Sequence, residues 1–413
     1  MKKRRALRVC EALLAMLLGC DPASQPSAAP SPSAPASAPL SASSSAGATP
    51  SASATPKEDH WLADRLSADP RLKDALNRAR ELRLQILVSV PDGNGKLTSH
   101  GFRVDAEYFY PASAIKTFLA VAALHALPRF EKPIDAHTSI RRCLTDSGRC
   151  EKYKEDADEK DEDGTFTVAG EIQKLLSYSD NDSYERLFDL VGHRDVNETI
   201  ARLGFKSVRI HHRMGAPAEK SRRSPRLIVQ GATIAPREST LELAPTPAAE
   251  LSIGKAYRDG KGKVEEPLSF ATKNYVSLRE LQLINVSLLM PKAEQAIDLR
   301  LDEKQRAILV KPMTGRLRPR SEAERHKPLL PGVLRVVPEK HLLYIDKSGR
   351  AYGFHLENAY IEDTRSKRGF FVTVTIYVNS DGVLNDDVYD YDEVSVPFMD
   401  ALGEVLARNL LKD

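Results

Sequence analysis

Apolar positions recur at helical spacing from Pro70 to about Leu82, and the pattern predicts a helix there. Gln85-Ile-Leu-Val-Ser-Val90 follows, rich in β-branched side chains. It is closed by Pro91-Asp-Gly-Asn-Gly95, and a second short run covers Leu97 to Phe102. Strand, glycine-rich turn and strand predict a hairpin. From Ala112 to Leu127 the chain is apolar nearly all the way round, so this helix is expected to be buried on every side. Helical spacing dominates from about 165 to 310, except at 215–270. That stretch is rich in Pro, Gly, Arg and Lys and reads as an irregular insertion; a linker is the other reading, but helical spacing resumes from Ser277 to Met290. Strand patterns return at His341–Asp346, Ala351–Ile361 and Phe370–Val378, before a final amphipathic helix from about Pro397 to Leu411. Strands at both ends with helices between predict an α+β fold. One antiparallel sheet is built from both chain ends, with flanking helices and an inserted all-helical region.

Length and composition narrow the classes. The chain has 413 residues, 41% hydrophobic and 28% charged, which is too polar for a membrane-spanning bundle. The formal charge is +3, but Lys2, Lys3, Arg4, Arg5 and Arg8 stand against only Glu11 in the first nineteen residues, so the remainder is slightly acidic. A nucleic-acid binder is disfavoured, because phosphate affinity needs positive charge on the working surface. The basic start runs into a short apolar stretch, Cys10 to Leu18, that ends at Leu17-Leu18-Gly19-Cys20. This predicts a signal peptide over 1–19. The cysteine after a small residue resembles the bacterial lipobox, which implies cleavage after Gly19 and lipidation of Cys20; an ordinary signal peptide holding a cysteine is the other reading. The expected product is an exported lipoprotein on the periplasmic side of the envelope, held to a membrane by acyl chains rather than a spanning helix.

Residues 21–57 contain 30 Ala, Ser or Pro out of 37. They bury too little apolar surface to offset ordering entropy, so 20–57 is expected to be a disordered tether before one globular unit at 58–413. In an oxidising compartment Cys143 and Cys150, seven apart around a turn sequence, predict a local disulfide, with two free thiols as the alternative. Two cysteines fall short of a structural zinc site, and no metal is expected. Glu151 to Asp163, with eight acids and three lysines, reads as a solvated loop, since it lacks the spacing of a calcium loop. Arg202 to Arg226, with eight Lys or Arg plus His211 and His212, reads as a solvated face; contact with an anionic envelope polymer is the sharper alternative.

Three short motifs carry candidate chemistry. Ser113-Ala-Ile-Lys116 opens the buried helix, with the lysine one turn from the serine. A serine hydroxyl needs a base beside it, and burial lowers a lysine pKa toward that role. The helix N-terminus also offers N–H groups to a developing oxyanion. Alone the pattern is weak, because Ser252-Ile-Gly-Lys255 repeats it with no apolar helix after it. Ser179-Asp180-Asn181 lies between two helical patterns; Asp182 and Glu185 have capping-box spacing for the second, and Gly192 marks its end. Lys347-Ser348-Gly349 follows a strand pattern, where a glycine marks close approach by a ligand or backbone, or simply a turn.

In this order the three motifs resemble the signature of the penicillin-recognising serine enzymes, class A β-lactamases in particular. Tyr110-Pro-Ala-Ser-Ala-Ile-Lys-Thr-Phe-Leu looks like their nucleophile helix, and Asp346-Lys-Ser-Gly-Arg-Ala-Tyr-Gly like their K-T-G strand. The resemblance covers about 60–413 and implies the β-lactamase/transpeptidase-like fold. Ser113 would be the acylated nucleophile, Lys116 its proton relay, and Ser179 the donor to the leaving nitrogen. Asn181 would hold the substrate amide, and Asp180 would be buried and structural. Lys347 and Ser348 would attract the substrate carboxylate, with Gly349 beside them. Backbone N–H groups of Ser113 and Arg350 would form the oxyanion hole. No cofactor is implied, and a monomer is expected.

One feature departs from the resemblance. The family carries a glutamate, within E-x-x-L-N, that activates the deacylating water. Here Leu203-Gly-Phe205 and Val208-Arg-Ile210 resemble the approach to that loop, but Met214 occupies the expected place and no such motif follows. The irregular stretch offers Glu219, Glu238, Glu242 and Glu250 as replacements. Acylation machinery is complete and deacylation unproven, which predicts weak or absent β-lactam hydrolysis despite covalent labelling. The leading function is a β-lactamase-type serine hydrolase acting on β-lactams or peptidoglycan-like amides and esters. The alternatives are a penicillin-binding DD-peptidase or esterase that acylates without efficient release, and a non-catalytic envelope-binding protein.

Overall fold

The computed structural model describes residues 60–130, 132–143, 165–214, 218–314 and 327–412. The expectations for the signal peptide, Cys20, the tether, Cys150 and the acidic tract lie outside the described residues.

Six strands form the main sheet. They are β1 (Gln85–Pro91), β2 (Leu97–Phe102), β3 (Leu342–Asp346), β4 (Gly349–Ala351), β5 (Phe354–Asp363) and β6 (Arg368–Tyr377). The order is β3-β5-β6-β1-β2, with β4 also on β5, and every pairing is antiparallel. The N-terminal hairpin therefore docks on the C-terminal strands, with Leu87 opposite Thr373 on one side and Gly101 on the other. Alternation along the strands feeds two cores. Ile86, Val88, Phe370, Val372 and Val374 pack toward α1 (His60–Ser67) and the C-terminal helix Val396–Leu410. Leu87, Phe354, Leu356 and Phe371 face the other way, into the core that holds the remaining long helices.

Those helices are α2 (Lys116–Ala126), α3 (Val168–Ser177), α4 (Asn181–Val191), α5 (His193–Leu203), α6 (Leu278–Leu289) and α7 (Glu303–Met313). The apolar run that predicted a helix buried all round is α2, where every residue except His125 is buried.

Some expectations need correction. Of the helix expected over Pro70–Leu82, only Lys73–Asn77 forms; its N-cap is Leu72, which supplies no side-chain cap, and the chain soon reverses at Arg83 with φ 43°. The stretch 215–270 is not wholly irregular. Arg226–Val229 pairs with Ala232–Ile234 across a Gln230-Gly231 turn, both with positive φ, and also with Ile140–Cys143. The inserted region thus carries a small sheet beside its helices, because alternating Leu227 and Val229 bury one face. The basic tract is not simply a solvated face either. His212 and Arg213 are buried, held by hydrogen bonds and ion pairs that the spacing of charges along the chain does not show.

Candidate active site

The Ser113-Ala-Ile-Lys116 motif begins with a 3₁₀ turn rather than an α-helix. Ala112–Ile115 form the turn and α2 starts at Lys116. Ala112 has φ 44°, a left-handed conformation unusual for a residue with a Cβ, and such strain collects at functional positions. Ser113 is partly exposed while its neighbours Ala112, Ala114, Ile115 and Lys116 are buried. Ser113 is therefore the one position of 112–116 that solvent reaches.

Lys116 reaches the second motif. Its Nζ donates to the Ser179 carbonyl oxygen at 2.5 Å and to Asn181 Oδ1 at 2.7 Å, with Ser179 Oγ at 3.3 Å. Ser179 has φ 59°, so the turn before α4 is held in the left-handed region and its carbonyl is aimed at the lysine. Asp180 caps α4: its carboxylate accepts from Asp182 N and Ser183 Oγ, each at 2.9 Å. This corrects two expectations. The cap is Asp180, not Asp182, because the helix starts two residues earlier, at Asn181. Asp180 is also half-buried rather than buried, as a capping side chain at a helix mouth must stay near solvent. Gly192 does end the helix, with φ 87°.

The third motif closes the triangle. Lys347 Nζ donates to Ser179 Oγ at 3.0 Å and to the Ser348 carbonyl at 2.9 Å. Its backbone N–H donates to the Asn358 carbonyl, which also takes Asn285 Nδ2, so the β3–β4 turn is fixed to β5 and α6. Gly349 is required by close approach. A Cβ there would stand 2.8 Å from the Pro111 carbonyl oxygen, 2.9 Å from Ser113 N and 3.0 Å from Ala114 N. β4 thus lies directly against the turn that carries Ser113. Arg350, next along β4, is exposed, with its guanidinium 4.9 Å from the Tyr391 ring centroid. The second S-x-x-K match gains no such setting: Ser252–Ile253 is a short strand and Gly254 turns the chain with φ 77°.

Electrostatics assign the two lysines different states. Burial pushes the Lys116 amine well below its ordinary pKa, and the neighbouring Lys347 charge pushes the same way. A neutral amine spends its two N–H bonds on the Ser179 carbonyl and Asn181, and keeps a lone pair for a hydroxyl proton. Burial lowers Lys347 to about 8, opposed by Asp346 and Glu357, so it still carries charge at neutral pH. One lysine is suited to accept a proton and the other to attract a carboxylate, with Ser179 Oγ between them.

Met214 is partly buried at the end of a tightly held segment. Asn197 bonds both backbone groups of Ile210, Asn274 bonds the His211 and His212 amides, and Ser221 Oγ accepts from Arg213 N. Of the glutamates considered for the missing base, Glu242 pairs with Arg222, and Glu250 with Arg80 and Arg83. Glu219 and Glu238 are exposed, on Ala218–Ser221 and Arg237–Glu238. None of the four bonds a motif residue. The acid that does stand beside Met214 is Glu185, whose Oε1 accepts from Met214 N at 3.1 Å. The sequence offered it only as a capping residue. Its spacing four after Asn181, on one helical face, was the available signal. Cys143 is buried at the end of its strand.

Residues 71–243 match the model of the beta-lactamase enzyme family. No curated protein matches the chain. Among solved structures, the chain resembles the β-lactamase from Streptomyces albus G, at 15% identity over 84% of this chain and 99% of that one, with a TM-score of 0.50. It also resembles a class A β-lactamase from Mycobacterium abscessus (15% identity, 82% and 98% covered, TM-score 0.49). A β-lactamase from Desulfarculus baarsii DSM 2075 aligns similarly (15%, 83% and 96%, TM-score 0.49). The likeness to the Streptomyces albus structure establishes the fold.

Proposed function

Taking the chain as a β-lactamase-like serine enzyme, we propose that Ser113 is acylated by β-lactams or by related cyclic or peptide amides, and that the protein hydrolyses them. The observation that carries this reading is the meeting of both lysine amines at Ser179 Oγ, 3.3 Å from Lys116 and 3.0 Å from Lys347, with Gly349 pressed against Ser113 N. Lys116 takes the Ser113 proton as the hydroxyl attacks the carbonyl. Ser179 passes a proton to the departing nitrogen, resupplied between the two lysines. Lys347 and Ser348 hold the substrate carboxylate, Asn181 its amide, and the Ser113 and Arg350 N–H groups receive the oxyanion. A preorganised donor of this kind is worth about 3–4 kcal/mol of barrier.

Intact-mass spectrometry after adding benzylpenicillin tests this. Wild-type protein gains the mass of one penicillin and Ser113→Ala gains none. No adduct on wild type, or an equal adduct on the variant, overturns the assignment. Met214 favours a second reading, a penicillin-binding peptidase whose adduct persists, since a thioether takes no proton from water.

The setting proposed for this chemistry is the periplasmic side of a bacterial envelope. The protein is a monomer tethered through lipid on Cys20 by the Ala/Ser/Pro segment, with Cys143 bonded to Cys150. The basic-apolar start ending in Gly19-Cys20 and the pairing of cysteines around a turn support this.

A further inference from the structure

We propose that Glu185, supplied by helix α4, is the general base that frees the acyl-enzyme in place of the carboxylate missing at Met214. The proposal rests on the acylation of Ser113 argued above. Glu185 stands four residues after Asn181, so both side chains lie on one face of α4, and Asn181 Oδ1 already holds Lys116 Nζ at 2.7 Å. Glu185 thus stands one helical turn from the residue that holds Lys116. Its Oε1 is anchored by Met214 N at 3.1 Å. Its Oε2 meets only Arg213 Nη1, at 3.5 Å, among the described residues. Arg213 itself is committed elsewhere: it pairs with Asp189, stacks 4.8 Å from the Phe188 ring centroid and donates to the Arg223 carbonyl. One carboxylate oxygen is thus fixed and the other is left to take a proton. The side chain is 24% exposed, enough for water to reach it.

In the step proposed, a water oxygen bonds to the carbonyl carbon of the Ser113 ester while one water proton passes to Glu185 Oε2. The tetrahedral intermediate collapses, the C–Oγ bond breaks, the proton returns to Ser113 Oγ, and the product leaves as the free acid. Burial raises the Glu185 pKa against the opposing charge of Arg213, which makes the carboxylate a better base. Asp189, Arg142, Lys116 and Tyr184 are the other titratable groups that face it.

Glu185→Gln separates this role from mere support, since the amide oxygen still accepts from Met214 N. Both proteins are pulsed with benzylpenicillin, and adduct formation and decay are followed by intact mass. The expected result is acylation near the wild-type rate with decay slowed about 100-fold or more, the usual scale of general-base catalysis. Equal decay in the two proteins overturns the proposal, as does a wild-type adduct that never decays; acylation of Ser113 survives both outcomes. Absence of any wild-type adduct sinks the acylation reading and this one with it. Should the glutamine variant fold poorly, the pH dependence of decay in wild type decides. Decay must slow as pH falls through a midpoint above the ordinary carboxylate range, and a flat profile overturns the role.

Discussion

Gly349→Ala adds one methyl group at the point where β4 meets the nucleophile turn. The added carbon would stand 2.8 Å from the Pro111 carbonyl oxygen and 2.9 Å from Ser113 N, and both obstacles are backbone. Ordinary contact begins near 3.4 Å, so the strand and turn must part by about 0.6 Å. Gly349 does not have a positive φ, so the substitution acts through space rather than through backbone strain. Overpacking of this kind costs about 1–3 kcal/mol of stability. The effect on chemistry is larger, because the gap opens between the two N–H donors proposed for the oxyanion. Misplacement of about 1 Å costs about 100-fold, and full loss of one donor costs about 2.7–4 kcal/mol, or 10²–10³ in rate. Acylation of Ser113, followed by rapid-quench mass spectrometry, is therefore expected to fall about 100- to 1,000-fold while the protein stays folded by circular dichroism. Gly260→Ala is the control, since a Cβ there meets nothing within 4 Å. Acylation of Gly349→Ala within threefold of wild type would refute the reasoning, because the strand would then not bear on the nucleophile.

Two further expectations concern charge and capping. On the proposed mechanism acylation needs Lys116 neutral and Lys347 charged, so kcat/KM should rise with pH through the lowered Lys116 pKa and fall above about 8 as Lys347 loses its proton. A stopped-flow pH profile with a carboxylate-bearing β-lactam checks this, and a rate still climbing beyond pH 9 contradicts it. Asp180→Ala removes the two bonds that cap α4, which should lower stability by about 1 kcal/mol in urea denaturation. It should also slow acylation, because the flanking Ser179 and Asn181 lose their fixed turn; unchanged stability and rate together would show the cap to be idle.

The elements that sequence read well are those whose pattern is local. The hairpin at 85–102 and the strands near 341–378 alternate along the chain, and α2 is apolar on all sides, so period alone identifies them. The helix expected over Pro70–Leu82 shortens to Lys73–Asn77, and α1 shows no clear period of its own, because short helices are decided by what they pack against, here the outer face of the sheet. The small sheet around 226–234 was hidden for a related reason: its partner strand, Ile140–Cys143, lies more than eighty residues upstream.

Sequence by itself determined the inventory of the site: two lysines, three serines, an aspartate, an asparagine and a glycine in three ordered motifs, together with the absence of a carboxylate at Met214. These are matters of residue type, and residue type fixes which protons and charges are available. Tertiary structure decided that Lys116 and Lys347 share Ser179, although 63 and 168 residues separate them from it. It also decided that Asp180 rather than Asp182 caps the helix and that Glu185 stands beside Met214. Distances across a fold depend on how sheet and helices pack, and burial, which sets the lysine states, exists only once they have packed.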